Sequence, residues 1–200
     1  MKKNTRTASL LLPLFFVVAM FSCGKNEPVN IHLPAYQIKE SEKLSIPAEI
    51  ELPINGPYGN ARVATYFATG VQKYKAQQKA GSEAGVFEWV FVAPLADLFD
   101  VTNKKTGIHG AGPYWTISAT DSIFAQQFTP AKTATPDLNS IAWLLLMPKA
   151  GTTPTGIFSN VLYIQRIATT GGKAPATPPA SLSETIDVPY TAVYRFSKKN

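Results

Sequence analysis

Six polar side chains stand on or beside segments that otherwise read as apolar strands: Gln72, Asp97, Asp100, His109, Gln165 and Arg166. A histidine with a carboxylate in hydrogen-bond reach makes a general acid–base pair. His109 with Asp97 or Asp100, flanking one hairpin, could form one. The same His109 could instead be a buried ring that holds a Gly-Pro turn through its ring N–H. Gln72 and Gln165 could contact a ligand or satisfy irregular backbone. Arg166 could clamp a carboxylate, or it could neutralise Asp97 or Asp100. Tyr74, Trp89, Tyr114 and Trp115 could form a sugar-stacking platform or simply fill the core. The sequence carries no nucleophile elbow, P-loop, dinucleotide fingerprint or zincin motif. One histidine outside the N-terminal linker, and no cysteine except Cys23, leave no transition-metal ligand set. No metal and no cofactor are therefore expected.

The segment that must position these groups is Gly107-Ile108-His109-Gly110-Ala111-Gly112-Pro113-Tyr114-Trp115. Three glycines and a proline exclude a helix interior. They suit a tight crossing between strands, where backbone passes close to backbone or to a ligand.

Around it the chain alternates with a period of two. Over Arg62–Gln77, Tyr66, Gln72 and Tyr74 share one face and Val63, Phe67 and Lys73 the other, with a bulge expected near Gly70. Val86–Val92 is a strand by aromatic and β-branched content. Trp115–Ala119 and Ile123–Phe128 read as a hairpin, and Ile141–Met147 as a strand buried on both faces, a helix being the alternative that Pro148 and the short run argue against. In Ile157–Ala168, Gln165 shares a face with Tyr163 and Ile167, while Arg166 shares the other with Ile164. Val188–Phe196 alternates again. Leu44–Ile54 reads as an edge strand confined by Pro47 and Pro53, and Thr129–Asn139 and Thr169–Ser183 as irregular segments. The expectation is an all-β fold: one antiparallel β-sandwich or barrel-like domain of about eight strands over residues 44–200.

The N-terminus reads differently. Lys2, Lys3 and Arg6 precede an apolar run, Leu10–Phe21, that is too short to span a bilayer. This layout is a signal segment over residues 1–22. Met20-Phe21-Ser22-Cys23-Gly24 resembles a bacterial lipobox, which implies acylation of Cys23 and anchoring to a membrane. Residues 23–43, polar and holding Pro28, His32 and Pro34, read as the acylated N-terminus and a flexible tether. The full chain has 200 residues with 19 basic and 13 acidic side chains. The leader holds three of the basic and none of the acidic ones, so the remainder carries 16 against 13, a formal +3. No basic stripe interleaved with aromatics is present, so no nucleic-acid partner is expected.

Several ordered motifs also resemble a known family. They are Gly70-Val71-Gln72-Lys73-Tyr74, Ala93 to Asp100 (APLADLFD), His109 to Trp115 (HGAGPYW), Trp143 to Leu146 (WLLL), Ile164-Gln165-Arg166, Thr170 to Pro175 (TGGKAP) and Val188 to Ala192 (VPYTA). Together, over roughly Leu44–Phe196, they resemble a family of secreted bacterial and fungal proteins whose domain has no assigned function. The resemblance implies secretion and a single domain, and it implies no activity. Many members carry one cysteine just after the tyrosine of the first motif and another after the Thr-x-Gly-Gly segment. Here those regions read Lys75-Ala76 and Ala176-Thr177-Pro178. If the two cysteines pair in the family, that tie to Thr169–Ser183 is missing here.

These features imply an envelope lipoprotein of the outer membrane that acts as a noncatalytic binding or interaction module. Its aromatic, polar-lined groove would lie near His109–Trp115 and face a small-molecule, glycan or protein ligand. A hydrolase, lyase or isomerase using His109 with Asp97 or Asp100, and a purely structural envelope protein, are the alternatives.

Overall fold

A computed structural model describes residues 30–200 of the chain. The expected signal segment and the Cys23 anchor lie outside the described residues. Eight strands follow in order: β1 (Asn60–Gln78), β2 (Phe87–Phe99), β3 (Lys105–Gly110), β4 (Tyr114–Thr116), β5 (Ser122–Ala134), β6 (Trp143–Pro148), β7 (Tyr163–Gly171) and β8 (Thr185–Lys199). Each pairs antiparallel with the next. β8 returns to β1 from Asn60↔Lys199 to Lys75↔Thr185, so the sheet is a closed barrel and not a sandwich. Closure leaves no free edge to aggregate.

The alternation read from the sequence assigns the faces. Tyr66, Ala68, Leu98, Trp115, Ile123, Ile164, Tyr194 and Phe196 point inward and form one buried cluster. Large rings from β4 and β8 meet small residues such as Ala68, Ala96 and Ala192, and this pairing fills a narrow interior. Phe158 and Val161, between β6 and β7, pack into the same cluster and close one end of the barrel. The outward positions include Lys73, Asp97 and Asp187. Among the described residues no helix is long and apolar enough to cross a membrane.

Two irregularities tune this frame. The β1–β2 register shifts between Lys73 and Tyr74, where Lys73 faces Ala93 and Tyr74 faces Phe91, leaving Val92 as the extra residue. The expected bulge therefore sits on the partner strand, a few residues beyond Gly70. The register of β5 against β6 also jumps, from Gln127↔Leu146 to Lys132↔Leu145. β5 thus runs through Ala134 instead of ending in the loop expected from Thr129.

Residues 34–54 correct two expectations. The end of the supposed tether is a helix, α1 (Pro34–Ser41), opened by a proline at its first turn and docked through Ile38 and Ser41. Leu44–Ile54 forms no strand; it contains one 3-10 turn, Ala48–Ile50. Its apolar residues instead cover the outer face of the barrel. Ile38 and Ile50 pack with Phe67, Trp143, Leu145, Ile167 and Val193 in a second buried cluster. Polar contacts pin this cover. Gln165 Nε2 donates to the Ile50 carbonyl at 2.8 Å, and Arg195 Nη2 donates to the Ser41 carbonyl at 2.8 Å. Glu42 bridges Arg62 and Arg195, each at 3.0 Å. Sequence periodicity misses this because α1 has eight residues and only Ile38 supplies an apolar anchor.

Ile50 is fully buried although it lies outside the barrel. Ile50→Ala should lower the unfolding free energy in urea by about 2–4 kcal/mol. A change of about 0.5 kcal/mol or less, ordinary for a surface position, would show that residues 34–54 are not part of the cooperative fold.

Candidate functional site

The end of the barrel opposite Phe158 holds a cavity of about 220 Å³. Four strands bring polar groups to it because their inward positions fall at the same level: Gln72 from β1, His109 from β3, Gln127 from β5 and Arg166 from β7. The β2 bulge lets the adjacent Phe91 and Val92 both line the wall, with Pro94 beyond them. Leu144 and Leu146 complete the apolar side.

His109 is positioned by the Gly/Pro bend. The bend works because Gly107 lacks a β-carbon, which would overlap the Thr116 carbonyl oxygen, and because Gly112 takes φ +130°. β3 and β4 can then pair closely, with His109 opposite Trp115. The His109 Nδ1 lies 2.8 Å from the Tyr114 carbonyl oxygen. A carbonyl only accepts, so Nδ1 carries the proton and Nε2 is left as a bare acceptor. The ring stacks on Trp115 at 4.5 Å and 11°, and meets Tyr194 at 4.9 Å. Burial pulls its pKa down to about 4; the Tyr114 hydrogen bond opposes this, and the Arg166 charge adds to the fall. At neutral pH the ring is an uncharged fixture of the turn.

Arg166 is half-buried. Its Nε and Nη2 both donate to the Ala142 carbonyl, at 3.0 and 2.8 Å. It forms no ion pair among the described residues, and no acidic side chain lines the cavity. Trp115 Nε1 is buried without a hydrogen-bond partner, while Gln72 Nε2 and the Tyr190 and Tyr194 hydroxyls are buried as neighbours beside Arg166 with no well-formed hydrogen bond among them. Each such group costs about 1–3 kcal/mol in the fold. Burial pushes both tyrosine pKa values upward, so the phenols stay neutral.

Of the residues named from the sequence, Gln72, His109, Trp115 and Arg166 meet at the cavity. Gln165 does not: it faces outward under the N-terminal cover. Asp97 also faces outward and pairs with Lys105 Nζ at 2.8 Å. Asp100 caps the β2–β3 turn, accepting from the Thr102 N–H at 2.8 Å, its hydroxyl at 2.6 Å and the Lys104 N–H at 3.1 Å. The acid–base pair expected between His109 and either aspartate is therefore not formed, and neither aspartate meets Arg166. The reason is parity on β2: Ala96, opposite His109, points inward, so Asp97 points out.

The aromatics do not share one platform. Trp115 is fully buried, whereas Tyr114 faces outward against Phe124. Tyr74 donates to the Gly172 carbonyl at 2.6 Å, and the Trp89 indole donates to the Thr177 carbonyl at 3.0 Å. These two bonds tie down the Pro/Gly-rich segment 169–183. The sequence reading missed Gln127. Its signal was the alternation Ile123, Ala125, Gln127, a polar residue on an inward face.

Among the described residues no group of histidine, cysteine or carboxylate side chains is placed to hold a metal ion. A family model described as "Protein of unknown function (DUF3455)" matches residues 57–198. No curated protein and no solved structure matches the chain.

The buried His109 makes stability depend on pH. Its folded pKa lies below its unfolded value of 6.5, so the unfolded chain takes up the proton first. Stability from this residue is full above pH 6.5 and falls as pH drops towards 4, by roughly 3 kcal/mol in total. Urea unfolding across that window should show the slope. His109→Phe should abolish it while costing about 1–2 kcal/mol at pH 7 through the lost hydrogen bond. An unchanged slope in the variant would place the titration elsewhere.

Proposed function

We infer a noncatalytic ligand-binding role for this chain, which belongs to the DUF3455 family of proteins of unknown function. The carrying observation is the cavity at one end of a closed barrel, with converging polar groups and apolar walls. Eight-stranded barrels of this width either fill with side chains or hold one small ligand. Here the Phe158 end is filled and the opposite end has room. The cavity beside His109 and Trp115, inside the barrel mouth, supports this reading. Catalysis through His109 finds no support, because the ring is committed to the Tyr114 carbonyl and no carboxylate orients it.

Val92 lines the cavity yet is half exposed, so it offers a way to block the mouth without disturbing the core. A thermal-shift screen of small molecules, glycans and peptides against the full chain should find saturable binders. Val92→Trp should lose them while its own melting temperature stays within about 2 °C, as expected of a surface substitution. Absence of any saturable binder, or binders indifferent to Val92→Trp, would remove the reading.

We also propose that the domain is carried on the envelope by acylation of Cys23. The support is the apolar run before a lone cysteine in a lipobox-like context. Expressed with labelled palmitate in a lipoprotein-processing bacterium, the wild-type chain should take up label and partition into detergent. Cys23→Ser should do neither. Equal labelling of both would refute the anchor.

A further inference from the structure

We propose that the barrel cavity takes a small organic carboxylate, anchored at Arg166, with a compact apolar body. This inference rests on the ligand-binding reading above. The chemistry of the lining is one-sided. Arg166 is a permanent cation that donates to a neutral carbonyl, has the neutral Tyr194 hydroxyl beside it, and forms no ion pair among the described residues. Trp115 Nε1 is an N–H donor without an acceptor, Gln72 Nε2 has only the neutral Tyr190 hydroxyl beside it among the described residues, and both residues are at most 2% exposed. Tyr194, equally buried, has a hydroxyl free to donate. Against these donors the lining offers no carboxylate among the described residues. The bare His109 Nε2 is an acceptor, but it cannot answer a charge. A half-buried guanidinium beside unpaired donors calls for an acceptor-rich anion.

Two features choose the carboxylate among anions. Among the described residues only one cation lines the cavity, which balances a single negative charge but not a phosphate dianion. The remaining edge of the guanidinium, Nη1 with the second proton of Nη2, is planar and matches a planar carboxylate in a two-pronged pair. The rest of the wall is Phe91, Val92, Pro94, Leu144 and Leu146, which favours an apolar body. About 220 Å³ limits that body to a single ring or a short chain.

The test compares shapes that differ only in charge. Benzoate, hexanoate, their amides benzamide and hexanamide, and inorganic phosphate are titrated into the full chain at pH 7 by calorimetry. The carboxylates should bind about ten-fold or more tightly than the matching amides, as one charge-assisted hydrogen bond gives. Val92→Trp should abolish this binding. Arg166→Lys, which keeps the charge but loses the fork, should weaken it, and circular dichroism checks its fold. The carboxylate–amide comparison stands on wild type alone if the variant misfolds. Amides binding as well as carboxylates, with Val92→Trp still blocking, would overturn the carboxylate and leave the cavity reading in place. Phosphate binding more tightly than either carboxylate would overturn the ligand class. No carboxylate or amide binding overturns this inference; the earlier screen then decides separately whether the cavity binds anything else.

Discussion

Closing the sheet on itself fixes how much can lie inside it. Pairing of β8 with β1 over the length of both strands sets an interior that holds little more than facing side chains. Every inward residue therefore competes for the same narrow space. Trp115, Tyr194 and Phe196 fit because Ala68, Ala96 and Ala192 stand among them. Towards Phe158 the rings touch edge to face, with Trp115 and Phe196 at 5.6 Å and 83°. Towards the Gly/Pro bend the inward residues become polar and the packing gives way to a cavity.

The polar end is costly, and the rest of the fold has to carry that cost. A donor without an acceptor at Trp115, and poorly made hydrogen bonds among Gln72, Tyr190 and Tyr194, lower stability in a chain with no disulfide. Strain and unsatisfied polarity of this kind persist where surrounding structure over-determines the positions. Here β1 and β2 hold Gln72, and the Tyr114 carbonyl holds His109. The histidine is thus a structural part of the site's wall. Its neutrality keeps a second positive charge away from Arg166, and its stacking fixes the Trp115 plane.

The N-terminal cover solves a different problem. Phe67, Trp143, Leu145, Ile167 and Val193 point out of the barrel, where water would meet them. Residues 34–54 bury that face, and Gln165 and Arg195 use their donors on the cover's own carbonyls. Gln72 and Gln165 look alike in the sequence, each a lone amide on an apolar strand. One satisfies backbone outside the barrel and the other faces the cavity within it.

The amino-acid pattern alone determined the all-β class, most strands with the residues that share each face, and the tight bend at Gly107–Trp115, since a period of two and the stereochemistry of glycine and proline act locally; it left His109 open between an acid–base role and a turn tie. It also put Gln72 on one face with Tyr66 and Arg166 on one face with Ile164, without saying which face turns inward. It did not separate sandwich from barrel, because that choice is made by pairing residues more than a hundred positions apart, such as Tyr66 with Tyr194. It misjudged Asp97 and Asp100, because nearness along a hairpin says nothing of which face each side chain takes until the register is known. And it read residues 34–54 as tether and edge strand, because a short helix with one apolar anchor acquires its order only from the surface it covers.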